Sequence, residues 1–351
     1  MKVLTITGTR PELIRLSVII NKLDQLCTHI LVYSNQNYDP NLKDVFFKEL
    51  GIRDPDYVLM DRESVGKIYD FLAIGIQALG AIIEKEKPDK VLVLGDTNTS
   101  LISIIAGKMG IPVYHMEAGN RSFDKEVPEE YNRKIIDSLS TVNLPYTQNS
   151  YDNLIREGCH KNFVFKTGNP LFEVLEHYES QINRAVNYKD KYCLVTLHRS
   201  ENVDNKDRAK GIIEAVEEIS KGCRVIFPIH PRTKDRFSRH KLIIHPNIEL
   251  IDPEGYFGFI HLLKHAQCVL TDSGSVPEET TIFHVPCVIM RNYIERQELI
   301  ENGSVILAGT RTEDIVQSFF KAMTMETCWD DLPDYYKKNV SDTVIQILLG
   351  K

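Results

Sequence analysis

His198 stands just past the β-branched run at residues 192–196, a place where a histidine can act as a general acid or base. Its neighbours in Thr196-Leu197-His198-Arg199-Ser200-Glu201-Asn202 favour that role over a satisfied structural histidine, because Arg199, Glu201 and Asn202 crowd charge and amide groups into one turn. Three acids complement it in the first half. Glu117, in His115-Met116-Glu117-Ala118-Gly119-Asn120-Arg121, ends an apolar run where an unpaired charge is costly, and Arg121 follows closely as a cation. Asp96, in Gly95-Asp96-Thr97, reads either as the N-cap of the next helix or as a carboxylate presented to a ligand. Glu129 and Glu130 open a helical stretch in Pro128-Glu129-Glu130-Tyr131-Asn132-Arg133, where acids also simply match the helix macrodipole. Asp96, Glu117 and Glu129 can converge at one sheet edge and move protons there.

A second group of residues suits an anion. Gly8-Thr9-Arg10-Pro11-Glu12 joins a strand to a helix, so Arg10, Arg15 one turn further on, and the helix N-terminus favour phosphate or carboxylate. A plain βα turn with a solvated arginine explains the same residues, and the motif is not Gly-x-Gly-x-x-Gly, so the dinucleotide fingerprint is absent. Leu270-Thr271-Asp272-Ser273-Gly274-Ser275, then Pro277-Glu278-Glu279, makes a small-residue loop. There Ser273, Gly274 and Ser275 can cradle a diphosphate, and Glu279 can accept from ribose hydroxyls. His230, in Ile229-His230-Pro231-Arg232, offers a second His–Arg pair or an ordinary polar loop, and Arg296 comes from the segment 291–298. As a set, these residues suit a nucleotide-sugar diphosphate gripped from both halves of the chain.

The elements that must position them alternate. Strand patterns at 2–7, 29–34, 90–94 and 112–116 are interleaved with helical patterns at about 12–25, 64–87, 99–109 and 129–139. The alternation restarts with strands at 192–196, 224–229, 248–250, 268–270 and 285–290, and helices at 206–220 and near 259–265. Strand–helix alternation with short turns predicts an α/β chain of two Rossmann-like domains facing across a cleft, each a parallel sheet with helices on both faces. The expected boundaries are 1–169 for the domain with the carboxylates, 170–187 for a helical linker, and 188–351 for a nucleotide-binding domain whose last helix packs back on the first. Such sheets bind ligands beyond their strand C-termini.

Composition excludes other classes. With 351 residues, 42% of them hydrophobic and 26% charged, the chain reads as an ordinary globular protein, and no apolar stretch approaches a bilayer span. The N-terminal residues lack a small-residue cleavage site, which makes the cytoplasm the expected location. Seven scattered cysteines with no Cys-x-x-Cys pair argue for reduced thiols and against a structural zinc site. A formal charge of −7 removes any chain-wide attraction to nucleic acid. No metal cluster or cofactor motif stands out, so neither a metal nor a cofactor is expected.

In order and spacing, GTRPE, LGDTNTS, HMEAGNRS, PEEYNR, HRSEN, HPR, LTDSGSVPEE and ERQE resemble the non-hydrolysing UDP-N-acetylglucosamine 2-epimerase family over nearly the whole chain. The resemblance implies a glycosyltransferase-B-type fold, a homodimer, and UDP held mainly by the C-terminal domain. It places the family's acids on Asp96, Glu117 and Glu129 and its essential histidine on His198. Arg10, Arg15, Ser273, Gly274, Ser275, Glu279 and Arg296 would hold UDP, with His230 beside the diphosphate. The implied chemistry is elimination of UDP to a 2-acetamidoglycal and re-addition, in the supply of surface polysaccharide (capsule or O-antigen) precursors. Arg15 stands where the family has Lys, Ser275 replaces the second Gly of DSGG, and ERQE replaces ERPE. Gln36-Asn37-Tyr38-Asp39 occupies the place of the QHR-like motif of substrate-activated members. SNQNYD, FFKELGI, PDYVL, EAGNR and NLPYT are similar to a branch acting on UDP-2-acetamido-2,6-dideoxy-L-talose to give UDP-N-acetyl-L-fucosamine. A glycosyltransferase of the same fold, a hydrolysing epimerase and a non-catalytic nucleotide-sugar-binding protein are the competing readings. A transferase needs only one base, the hydrolysing enzymes depart from GTRPE, and a binding protein would have lost one of the four acid–base residues.

Overall fold

Lys90–Leu94 carries valines and leucines on both faces of a strand, and a strand apolar on both faces belongs in a parallel sheet covered by helices. The computed structural model, which describes residues 1–36, 47–60, 66–124, 127–184 and 190–350, contains two such sheets of six strands, every recorded pairing parallel. Asn37–Asp39, and the 185–188 stretch at the end of the expected linker, lie outside the described residues.

The first sheet comprises β1 (Lys2–Thr7), β2 (Thr28–Tyr33), β3 (Tyr57–Val58), β4 (Lys90–Leu94), β5 (Val113–Met116) and β6 (Val142–Leu144), in the spatial order β3-β2-β1-β4-β5-β6. The second comprises β7 (Cys193–Thr196), β8 (Val225–Pro228), β9 (Ile248–Ile251), β10 (Cys268–Thr271), β11 (Cys287–Ile289) and β12 (Val305–Leu307), in the order β12-β11-β10-β7-β8-β9. Renumbered from its own first strand, the second sheet repeats the first. Both have the doubly wound order that reverses direction once, leaving a crevice beyond the strand C-termini at the reversal. In the first sheet that switch point lies between β1 and β4, and in the second between β7 and β10.

Each sheet has its own core. Leu4, Ile6, Val32, Val91 and Val93 pack against Leu79 and Ile83 of helix Ile68–Glu86 in the first. Val195, Phe227 and Leu270 pack against Ile212 and Val216 of helix Lys206–Ser220, and against Ile315 and Phe319 of helix Thr312–Met323, in the second. The chain divides into two compact units, Met1–His177 with Pro333–Lys351 and Tyr178–Leu332. The terminal helix Val340–Leu349 lies on helix Arg10–Leu26, and Lys22 of that helix donates to Ser341 and pairs with Asp342. Among the described residues, no helix is long and apolar enough to cross a membrane.

Candidate active site

Gly8 ends β1 against its neighbours so closely that a Cβ there would collide with Ser34 Oγ and Thr99 Oγ1; glycine is the residue that lets the loops after β1 and β4 touch. Proline at the start of helix Arg10–Leu26 suits a first turn whose N–H groups have no helical partner. From this helix Arg15 is buried, and its Nη1 lies 3.4 Å from Glu117 Oε2. Glu117 follows β5 at φ +65°, a left-handed conformation that costs a non-glycine residue about 1 kcal/mol or more. Asn120 Nδ2 donates to its other oxygen at 3.1 Å, so the carboxylate is clamped from two sides.

Asp96 is held in the same manner. Arg133 Nε donates to Asp96 Oδ2 at 2.8 Å, while Asn132 Nδ2 donates to the Asp96 carbonyl at 2.8 Å. Asp96 precedes Thr97, the N-cap residue of the short helix Asn98–Ile102, and its own side chain is committed to Arg133 rather than to a cap. The two acids of helix Pro128–Leu139 separate cleanly. Glu130 is buried and accepts from Ser122 N, Ser122 Oγ and Arg133 Nη1, whereas Glu129 is only half-buried. Arg133, which sequence reasoning did not single out, therefore links Glu130 to Asp96. Its signal was available: it sits one helical turn after Glu129 and Glu130, on a helix whose first turn is acidic.

Beneath them runs a buried ionic chain. His115 Nε2 donates to the Gly95 carbonyl at 2.9 Å, and its Nδ1 lies 2.9 Å from Asp137 Oδ1. Asp137 also accepts from Gly119 N and pairs with Arg121 at 2.8 Å. Arg121 donates further to Glu157 and to the Asn120 carbonyl, and its side chain is fully enclosed. Burial pulls its pKa down, but Glu157 and Asp137 together hold it above the ordinary arginine value. These bonds make Arg121 a strut under the Glu117 loop.

The second switch point is furnished differently. Asp272, wholly buried after β10, accepts from the backbone N–H of His198 (3.1 Å) and of Arg199 (2.9 Å), and from Asn202 Nδ2 (3.2 Å). Its Oδ1 lies 3.5 Å from His198 Nδ1, and the imidazole is 45% exposed. Asn202 also donates to the Met290 carbonyl, so this buried amide braces the loop. In the sequence Asp272 is marked by its place alone, an acid directly after an apolar strand. Ser273 N donates to Thr271 Oγ1, and Ser273 Oγ stands 3.4 Å from Ser275 Oγ at the head of helix Val276–Ile282. Ser275 has φ −97° and ψ −33°, which any residue adopts, so serine in place of glycine imposes no backbone cost. A Cβ at Gly274 would come 3.0 Å from Arg199 Nη2, which puts that guanidinium against the loop.

Around this loop, Glu279 is buried, and Arg296 is buried and bonded to Glu278 through its Nε. Tyr293 Oη donates to Glu201 at 2.8 Å, and Arg291 forms a forked pair with Glu295. His230 is the N-cap of helix Pro231–His240, its Nδ1 accepting from Arg232 N. Arg10 opens its helix on the first unit, only part-buried. The first unit thus brings together Asp96, Glu117, Arg15 and Arg133, and the second brings together His198, Arg199, Asp272 and the Ser273–Gly274–Ser275 loop. Clamped carboxylates can exchange protons with carbon acids, and a loop of hydroxyls and N–H groups beside arginine and histidine can hold a diphosphate.

The family model for UDP-N-acetylglucosamine 2-epimerase matches residues 21–349. The chain belongs to the UDP-N-acetylglucosamine 2-epimerase family. It is 39% identical to the UDP-N-acetylglucosamine 2-epimerase of Methanocaldococcus jannaschii over 94% of each chain. It is 36% identical to the UDP-2,3-diacetamido-2,3-dideoxy-D-glucuronate 2-epimerase of Pseudomonas aeruginosa, over 91% of each. The crystal structure of the M. jannaschii enzyme in complex with UDP-GlcNAc and UDP superposes with a TM-score of 0.90 at 37% identity, covering 99% of both chains. As its family implies, the protein is a carbohydrate epimerase with two Rossmann-like domains of the glycosyltransferase-B type. A UDP-bound plant glycosyltransferase, 12% identical with a TM-score of 0.54, shares the fold alone.

Proposed function

We propose that this epimerase inverts C2 of a UDP-2-acetamido sugar, UDP-N-acetylglucosamine to UDP-N-acetylmannosamine, without releasing free sugar. The observation that carries the reading is the clamped pair Asp96 and Glu117 in a chain whose other switch point offers hydroxyls, N–H groups and His198 to an anion. The C2 hydrogen of such a sugar has no neighbouring carbonyl and resists a base. Departure of UDP from C1 builds positive charge on the ring and acidifies that hydrogen. A carboxylate then removes it, leaving a 2-acetamidoglycal. A second acid delivers a proton to the opposite face of C2, and UDP returns to C1.

In this scheme Asp96, Glu117 and Glu129 serve proton transfer and its support. His198, backed by Asp272, stabilises or protonates the departing diphosphate. Arg10, Arg15, Arg199, Ser273, Gly274, Ser275, Glu279 and Arg296 hold UDP, with His230 close to the diphosphate. Glu201 and Asn202 shape the loop that carries His198. The enzyme works as a cytoplasmic homodimer, a state that size-exclusion chromatography with light scattering tests directly.

Proton NMR of the purified protein with UDP-N-acetylglucosamine in D2O is the decisive experiment. Deuterium entering C2 as a UDP-N-acetylmannosamine signal grows is the expected result. Exchange confined to UDP-2-acetamido-2,6-dideoxy-L-talose moves the enzyme to the fucosamine-forming branch. Exchange with neither sugar, under conditions where UDP binds, overturns the epimerase reading.

A further inference from the structure

Glu12 is the third residue of helix Arg10–Leu26, where a glutamate ordinarily reaches back to one backbone N–H and stays in water. Here the residue is 2% exposed and both carboxylate oxygens are engaged. Oε2 accepts from Gly8 N at 2.6 Å and Thr9 N at 3.2 Å, which is enough to cap the helix. Oε1 accepts instead from Thr97 Oγ1 at 2.6 Å, a hydroxyl on the loop after β4. That second bond does nothing for the cap. It ties the two loops of the switch point together, and its far end is the residue next to Asp96.

We infer that Glu12 is a positioning residue: through Thr97 it fixes the Asp96 loop from the β1 side, opposite the grip of Asn132 and Arg133. A carboxylate needed only for capping gains nothing from enclosure, and enclosure is costly. Burial pushes Glu12 up to about 7, against the opposing pull of the bonds from Thr97, Gly8 and Thr9. The loop accepts that cost at a point where a small shift of Asp96 matters. Gly95, with φ +78° and its carbonyl bonded to His115, supplies the pivot on the strand side. The inference rests on the reading that Asp96 takes part in proton transfer at C2.

Thr97→Val separates positioning from capping. Thr97 makes no side-chain cap bond to its own helix, so valine there removes only the tether. The expected result is a fall in kcat of about 10- to 100-fold with KM for UDP-N-acetylglucosamine within about twofold, a displacement of the reacting group rather than of binding. The melting temperature should fall by only a few degrees, from the donor lost to Glu12 Oε1, and Thr97→Ser should restore both it and kcat. Glu12→Gln is the second variant. It keeps an oxygen for Gly8 and Thr9, and its amide N–H2 can donate to Thr97 Oγ1 in place of accepting from it, so kcat should stay within a few-fold of wild type. Full kcat in Thr97→Val, a loss matched by melting, or failure of serine to rescue overturns the inference alone. Absence of C2 exchange in the wild type overturns the reaction reading, and the inference falls with it.

Discussion

At the switch point of the first sheet, carboxylates are gripped: Asp96 by Arg133, Glu117 by Arg15 and Asn120, Glu12 by two loops, and Asp137 by Arg121 and His115. At the same place in the second sheet buried Asp272 faces inwards to backbone N–H groups, buried Glu278 pairs with Arg296, and the His198 imidazole is 45% exposed. The strand order is the same, so the topology does not account for the difference. Proton transfer at carbon needs a charge fixed within a fraction of an ångström, which a matched ionic network provides. Binding an anion needs donors whose N–H and O–H groups remain available, which a short loop with serines and a glycine provides.

The strongest way to break this contrast is to remove the chemistry from each side. Asp96→Asn and His198→Ala should each lower turnover by about 10³-fold with the fold intact, checked by C2 exchange beside circular dichroism. Near-normal activity in either removes that residue from the mechanism. Asp137→Asn tests the network beneath, since it leaves Arg121 with one carboxylate fewer and His115 with an amide in place of a charge. Unfolding in urea should show a loss of about 3–5 kcal/mol, as for a broken buried ion pair, whereas Asp272→Asn should cost about 2 kcal/mol and weaken UDP binding.

Glu12 gives a pH test confined to the first unit. In the unfolded chain its carboxyl ionises near 4.5, but in the fold it keeps its proton until about 7. Between those values the native state binds more protons than the unfolded one, so stability falls as pH rises. By pH above 7 the loss reaches ~3 kcal/mol relative to acid. Glu12→Gln should lack this component, so its stability relative to wild type should rise from pH 4.5 to 7 in parallel urea titrations. A constant difference would show that the carboxyl is not buried as described. The smallest effect is expected at Ser275→Gly, within about twofold in kcat/KM, because the backbone there needs no glycine.

The sequence displayed the central strands almost residue for residue. The expected strand at 90–94 is β4, and 2–7 is β1, because strands buried on both faces must be apolar throughout. The edge strands β3, β6 and β12 were not visible. At two or three residues each, they are too short to carry a pattern, and they owe their conformation to a neighbour's backbone. The helix expected at 99–109 is two, Asn98–Ile102 and Ile104–Lys108, broken at Ser103, whose hydroxyl donates to the Ser100 carbonyl. The ends of strands marked Asp96, Glu117 and His198 by type and place, and the family resemblance gave them their expected roles. Arg133 and Asp272 were marked by their places, but what they bond, like the second bond of Glu12, depends on which loops meet, and contacts across 85 or 74 residues leave no local trace.

The chain passes from the first unit to the second at Tyr178 and comes back at Pro333. On the ribosome, therefore, the second unit has all its residues before the first does. Glu173, which accepts from both N–H and Oγ of Ser341, waits for a partner 168 residues further along the chain. The first unit is therefore completed after the second, and helix Arg10–Leu26 carries Arg15 towards Glu117 with one side uncovered until helix Val340–Leu349 is made. A nascent chain arrested before Val340 would thus have every residue of the second unit and an unfinished first one.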